Sequence, residues 1–166
     1  MRAIHALSIL LISFLVVACA TDVNTRQPLS PMSVGSLQFG EIDAASTLAS
    51  VTPDHINRLK MSVSERVGKL PQGNVPVRIQ MSVTEFDIQS GAARFFIGAF
   101  AGSNKMTVTV KIMDPMGNTI ADFDVQRSAN PGGYGAFYSQ TNATIDAIAD
   151  GVADVLGGMS GASRDL

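Results

Sequence analysis

Apolar residues recur with two distinct periods along the chain, and the switches between them mark the elements. Ile56, Leu59, Val63, Val67 and Leu70 are spaced by three or four, which gives one apolar stripe on a helix. Thr52-Pro53-Asp54 supplies its start, with Thr52 as N-cap, Pro53 in the first turn and an acid near the positive end of the dipole. Pro71 and Gly73 end it, and Arg58, Lys60, Glu65 and Arg66 fall mostly off the stripe. A second helix is predicted over about 139–156, with Ile145, Ile148, Val152, Val155 and Leu156 inward and Gly157-Gly158 as the stop. Asp146, Asp150 and Asp154 form a separate row on it, read as a solvated face.

Between the helices the period falls to two. Val77, Ile79, Met81 and Val83 alternate with Arg78, Gln80, Ser82 and Thr84, a half-buried strand. The phase slips before Phe86 and Ile88, so a bulge or a change of buried face is required near Glu85. Met106, Val108, Val110 and Ile112 share one face of the next strand; Ala121, Phe123 and Val125 share one face of the strand after it. A turn near Gly117 allows one register that puts both sets on one side. It pairs Ile112 with Ala121, Val110 with Phe123 and Val108 with Val125, and it sets Lys111 against Asp122 and Thr109 against Asp124. The loop is then Pro115–Asn118, with Gly117 free to take positive φ. A short first strand is expected within Ser33–Ile42, and Ala129 to Gly135 is expected as a loop. The predicted order is strand, helix, three strands, helix. The fold class is α+β, a small, mostly antiparallel sheet with two amphipathic helices packed on one face.

The N-terminus follows neither period. After Arg2, Ile4 to Ala18 is apolar apart from His5, Ser8 and Ser13. That run is shorter than the roughly 20 residues a spanning helix needs, and it fits the core of a secretory signal. It ends in Val16-Val17-Ala18-Cys19, which resembles the bacterial lipobox. The resemblance implies cleavage between Ala18 and Cys19, a diacylglyceryl group on the Cys19 thiol and an acylated amine. Two or more chains, at about 0.8 kcal/mol per buried methylene, make the attachment stable. Ala20 follows, where an Asp would imply inner-membrane retention, so the outer membrane, facing the periplasm, is the expected address. The organisation read from this is a lipoprotein signal peptide at 1–18, a lipidated cysteine and flexible tether at 19–32, a single domain at 33–158, and a disordered tail at 159–166.

Composition narrows the chemistry. Loss of Arg2 with the signal leaves 11 basic against 14 acidic residues, a net charge of −3, and no basic footprint for nucleic acid. A single cysteine excludes an internal disulfide and a cysteine cage for a metal. Of the two histidines, His5 lies in the signal and His55 in a first helical turn, where it is read as solvated. Asp122 and Asp124 face solvent in the predicted register and read as solubilising residues rather than an acid–base pair. No catalytic set, metal site or cofactor is expected.

One stretch exceeds the needs of a connection. Arg94, Phe95, Phe96, Ile97, Gly98, Phe100 and Gly102 make an apolar, glycine-studded run between two strands. It serves either as core folded back onto the sheet or as a contact element that dips into a membrane or self-associates. Gly98 and Gly102 would permit close backbone approach. This run carries a resemblance. Thr84-Glu85-Phe86-Asp87, then Gly91-Ala92-Ala93-Arg94-Phe95-Phe96-Ile97-Gly98, then Gly102 resemble the hallmarks of a bacterial envelope lipoprotein family known only as a domain of unknown function. The order of strand, hairpin with an Asp-x-x-Gly turn and helix is more distantly similar to the periplasmic domains of curli-type secretion lipoproteins and of lipoprotein activators of cell-wall synthases. Neither resemblance implies catalytic residues.

The function expected from the sequence is a non-catalytic accessory or scaffold in an envelope assembly, held to the membrane by Cys19, with an envelope protein or a second copy as partner. A pore or secretion-channel subunit using Arg94–Gly102 as its membrane element is the alternative. An envelope hydrolase, with Asp122, Asp124 and His55 as the available groups, is the third.

Overall fold

The structure, a computed structural model, describes residues 20–30, 36–88, 104–129 and 140–158. Within them run β1 (Ala20–Gln27), β2 (Leu37–Ala45), α1 (Pro53–Val67), β3 (Val75–Asp87), β4 (Asn104–Met113), β5 (Thr119–Ala129) and α2 (Gln140–Leu156). The strands make one sheet in the order β1-β5-β4-β3-β2. Three of its four pairings are antiparallel, whereas β2 and β3 are parallel. The sheet is therefore mixed. A parallel pair requires a crossover, and α1 is that crossover.

Both helices cover one face, and the expected α+β layering holds. Leu59, Val63 and Val67 of α1 and Ile145, Ile148, Val152 and Leu156 of α2 are fully buried against the sheet. Their counterparts are Val77, Ile79, Met81 and Val83, then Met106, Val108, Val110 and Ile112, then Ala121, Phe123 and Val125. The β4–β5 register matches the expected pairs one for one, including Lys111 with Asp122 and Thr109 with Asp124. Gly117 sits at the hairpin tip with φ of 88°. Asp114 closes that turn by accepting from the Met116 and Asn118 amides at 2.9 and 2.8 Å. The slip in β3 is a bulge: Val83 faces Val108 and Glu85 faces Thr107, leaving Thr84 over. Phe86 thereby returns to the helix side, opposite Met106.

Helix α1 opens with a capping box. Thr52 Oγ1 accepts from the His55 amide at 3.4 Å, and His55 Nδ1 accepts from the Thr52 amide at 3.2 Å. His55 also lies 4.9 Å from the Phe86 ring centroid, so it caps and packs instead of standing in solvent. The helix ends at Gly68, earlier than Pro71 and Gly73 suggest. Gly73 has another duty. A Cβ there would stand 2.1 Å from the Ser36 carbonyl carbon, because the Gly73 amide donates to Leu37 O at 2.7 Å as β2 begins.

One expectation is corrected. Part of the segment read as a flexible tether, 19–32, is β1, paired along its length with β5. Thr21, Val23 and Thr25 alternate with Asp22, Asn24 and Arg26, a period-two pattern favoured by β-branched residues. Pro28 and Pro31, the residues that suggest a flexible linker, both lie beyond the strand in sequence. The first domain strand accordingly runs from Leu37 to Ala45, second along the chain and at the edge of the sheet opposite β1.

Candidate functional site

The sheet has two ends, and its connections sort between them. At one end lie Ala20 opposite Ser128, Lys105 opposite Ser128 and opposite Asp87, and Asn104 opposite Ala129. Asn104 Nδ2 donates to Gln140 Oε1 at 2.6 Å there, which brings in the start of α2. At the other end lie the Gly117 hairpin tip and the Gly73–Leu37 contact. Helices α1 and α2 run in the same direction, since Arg58 and Ser62 meet Asp146 while Arg66 meets Asp150.

Cys19 and Ala18 lie outside the described residues, and so does the whole run Arg94, Phe95, Phe96, Ile97, Gly98, Phe100 and Gly102. The expected loop after Ala129 and the tail at 159–166 also lie outside them. The chain ends that flank these segments are placed. Ile88 and Asn104 bracket the apolar run, and Ala20 follows Cys19, all at the same end of the sheet.

The face of the sheet away from the helices is polar and internally paired. Arg26 is the bulged residue of β1, between Thr25 opposite Phe123 and Gln27 opposite Asp122. That bulge turns its guanidinium across the face of β5. It donates through Nε to Asp122 Oδ1 at 2.9 Å, and through Nη2 to Asp124 Oδ1 at 3.1 Å. Thr109 Oγ1 donates to the same Asp124 oxygen at 2.6 Å. Burial pushes the Asp124 carboxyl up, and the bonds from Arg26 and Thr109 outweigh it, holding the group below the usual carboxylate range. Asp124, then Asp122, in turn hold Arg26 firmly protonated. Toward the Ala20 end, Lys105 Nζ stands 3.0 Å from Glu85 Oε2, and Thr107 Oγ1 donates to that oxygen at 2.9 Å. Lys105 first, and Thr107 after it, lower the Glu85 carboxyl.

Asp122 and Asp124 are thus not simple solubilising residues, because each is engaged by the strand that follows Cys19. Nor is the aspartate row of α2 simply solvated. Asp146 accepts from Ser62 Oγ and from Arg58 Nη2, both at 2.6 Å, and Asp150 is paired with Arg66. Burial raises the Asp146 carboxyl, and the bonds from Ser62 and Arg58 more than offset that. Arg58, Ser62 and Arg66 recur every four residues, matching the spacing of Asp146 and Asp150. A shallow groove runs over this seam, lined by Arg58, Met61, Ser62, Arg66, Asp146 and Asp150. Among the described residues no group of three His, Cys, Asp or Glu side chains is placed to hold a metal ion, and no helix is long and apolar enough to cross a membrane.

A family model for the domain of unknown function DUF4410 matches residues 41–133, from β2 into the segment after β5. No curated protein matches the chain. Among solved structures, a single-substitution variant of PelC from Paraburkholderia phytofirmans, a dodecamer, is similar at 13% identity and a TM-score of 0.52, over 82% of this chain and 98% of that one. A second PelC dodecamer from the same organism gives 10% identity and 0.51 over the same shares. A candidate lipoprotein from Caulobacter crescentus CB15 gives 14% identity and 0.43, over 79% and 96%. At these identities the PelC likeness is one of fold.

Proposed function

The chain belongs to the family of the domain of unknown function DUF4410, and on that premise we propose that it is a lipid-anchored envelope protein that works without chemistry of its own, as a self-associating scaffold. The observation that carries the proposal is the fold shared with PelC dodecamers over 82% of this chain. The Val16-Val17-Ala18-Cys19 sequence supports the anchor, with diacylglycerol on Cys19, an acyl chain such as palmitate on its amine, and the outer membrane as address. The polar side chains of the open sheet face support a scaffold, because they are spent on one another in pairs rather than converging on a cleft.

Extraction of the full-length protein in mild detergent, followed by light scattering on a sizing column, tests the assembly. A discrete oligomer is expected, and a monomer across micromolar concentrations overturns it. Crosslinking in intact cells from Phe96 or Phe100 then separates self-contact from contact with another envelope protein.

The same fold likeness favours a second reading, a ring subunit of a pore or secretion channel that uses Arg94–Gly102 at the membrane. Leakage of vesicles on addition of the detergent-free oligomer distinguishes it from a scaffold, which leaves them sealed.

A further inference from the structure

The lipid and the apolar run belong to the same end of the sheet, and β1 leaves no slack between the lipid and the sheet. Cys19 is bonded to Ala20, whose Cα is therefore about 3.8 Å from its own. Ala20 is already in register with Ser128 of β5. A disordered tether of about 14 residues would let the domain wander over about 20 Å in any orientation; a strand paired from its first residue does not. Arg26 and Gly151 secure that strand to the fold. The guanidinium bridges to Asp122 and Asp124, and the bare α-carbon of Gly151 lets α2 close onto Thr21 and Val125.

We infer that the end of the sheet formed by Ala20, Ser128, Asn104 and Asp87 is a membrane-docking surface whose occupant is the lipid bilayer, so that the strands stand end-on to it with the Gly117 hairpin pointing away. This rests on the acylation of Cys19 in the reading above. Two features of the chain outside the described residues support it. The 15 residues between Ile88 and Asn104 leave from and return to this end, and they contain Phe95, Phe96 and Phe100. The ten residues between Ala129 and Gln140 do likewise, with Tyr134, Phe137 and Tyr138. Tyr134 and Tyr138 carry the polar tip that settles at a bilayer surface, and the phenylalanines supply apolar area that can enter it. The opposite end offers the bilayer a different set: the Asp114–Asn118 turn, with Met116 84% exposed at its tip, and Lys69.

The test uses the full-length acylated protein in vesicles of phosphatidylethanolamine and phosphatidylglycerol that carry a quencher on the lipid headgroup. Cys19 is the chain's one cysteine and is blocked by the lipid, so a thiol fluorophore on Asp87→Cys or Met116→Cys reports a single position. β4 has 10 residues and separates the two ends by about 30 Å, well beyond the reach of contact quenching. Quenching at position 87 is expected to exceed that at 116 several-fold, and Ser128→Cys is expected to repeat the result at 87 if the Asp87 variant fails to fold. Equal quenching at both ends, or stronger quenching at 116, overturns the inference. Radiolabelled palmitate on the same preparation separates the failures. Label present with equal quenching sinks the orientation alone, whereas absence of label sinks the orientation and the anchor together.

Discussion

Arg26 and Asp124 join the first strand of the sheet to its neighbour across 98 positions of sequence. The link exists because a bulge turns Arg26 onto the open face, where Asp124 is already fixed by Thr109. An edge strand is paired on one side only, and this edge is the strand that follows Cys19. A contact of modest energy thus holds the part of the fold that would transmit any pull from the proposed lipid.

Arg26→Ala is expected to cost about 1 kcal/mol or less of global stability, since the guanidinium is 44% exposed and surface pairs are worth little. Its local effect is larger. Backbone amides of 21–26 should exchange with deuterium faster, while those of β4 keep their protection. The Asp124 carboxyl, left with burial and only Thr109, should titrate at higher pH in carboxyl-carbon NMR. Unchanged exchange in β1 would mean that strand pairing alone secures the edge.

How much of this was legible in the sequence depends on whether a signal lay along one element or between two. The β4–β5 register was readable because two alternating strands and one glycine turn leave a single solution. The bulge before Glu85 was readable because Phe86 and Ile88 break a period that tolerates no slip. β1 was hidden by its neighbourhood: three β-branched residues sit between a lipobox-like sequence and Pro28 and Pro31, and composition outweighed alternation. The Arg58–Asp146 and Arg66–Asp150 pairs were hidden because nothing local says that α1 and α2 lie side by side and parallel. Matching four-residue spacings on the two helices were the available clue. Arg94–Gly102, the candidate contact element, lies outside the described residues; the flanking Ile88 and Asn104 are placed.

Acid should weaken the fold over a definite range. Asp124 and Asp146 both have carboxyls held below their ordinary value in the folded state. A depressed folded pKa adds stability that is fully present above the unfolded value of about 4 and is lost as pH falls below it. Urea midpoints should be flat with respect to these groups from neutrality to about pH 5 and should drop as pH falls below about 4. Asp124→Asn should make that drop shallower, and a drop of unchanged steepness would remove Asp124 from the account.

Gly73→Ala should be among the most damaging changes available to so small a side chain. The new methyl would stand 2.1 Å from the Ser36 backbone, which has no flexible end to move aside. Either Gly73 loses its bond to Leu37 O or β2 shifts away from β3. A loss of about 3 kcal/mol or more is expected from the urea midpoint. Gly40→Ala is the control within β2, because its methyl would meet only Val77 O, at 3.4 Å.

Gly151→Ala sets helix propensity against packing. In an open helix interior the change gains about 1 kcal/mol. Here the methyl would lie 2.7 Å from Val125 Cγ1 and 3.1 Å from Thr21 Cγ2. Val125 is fully buried and stiff at its β-branch, so it cannot rotate away cheaply. Overpacking of this kind costs about 1–3 kcal/mol, and the expected net is a loss of up to about 2 kcal/mol. Removing the obstructing methyls should expose the opposition. Val125→Ala alone leaves a cavity and destabilises, whereas Gly151→Ala in that background fills part of it and recovers its propensity gain. The double-mutant cycle should therefore show favourable coupling of about 1 kcal/mol or more. Strict additivity would mean that α2 yields at Gly151 without pressing on β5 and β1.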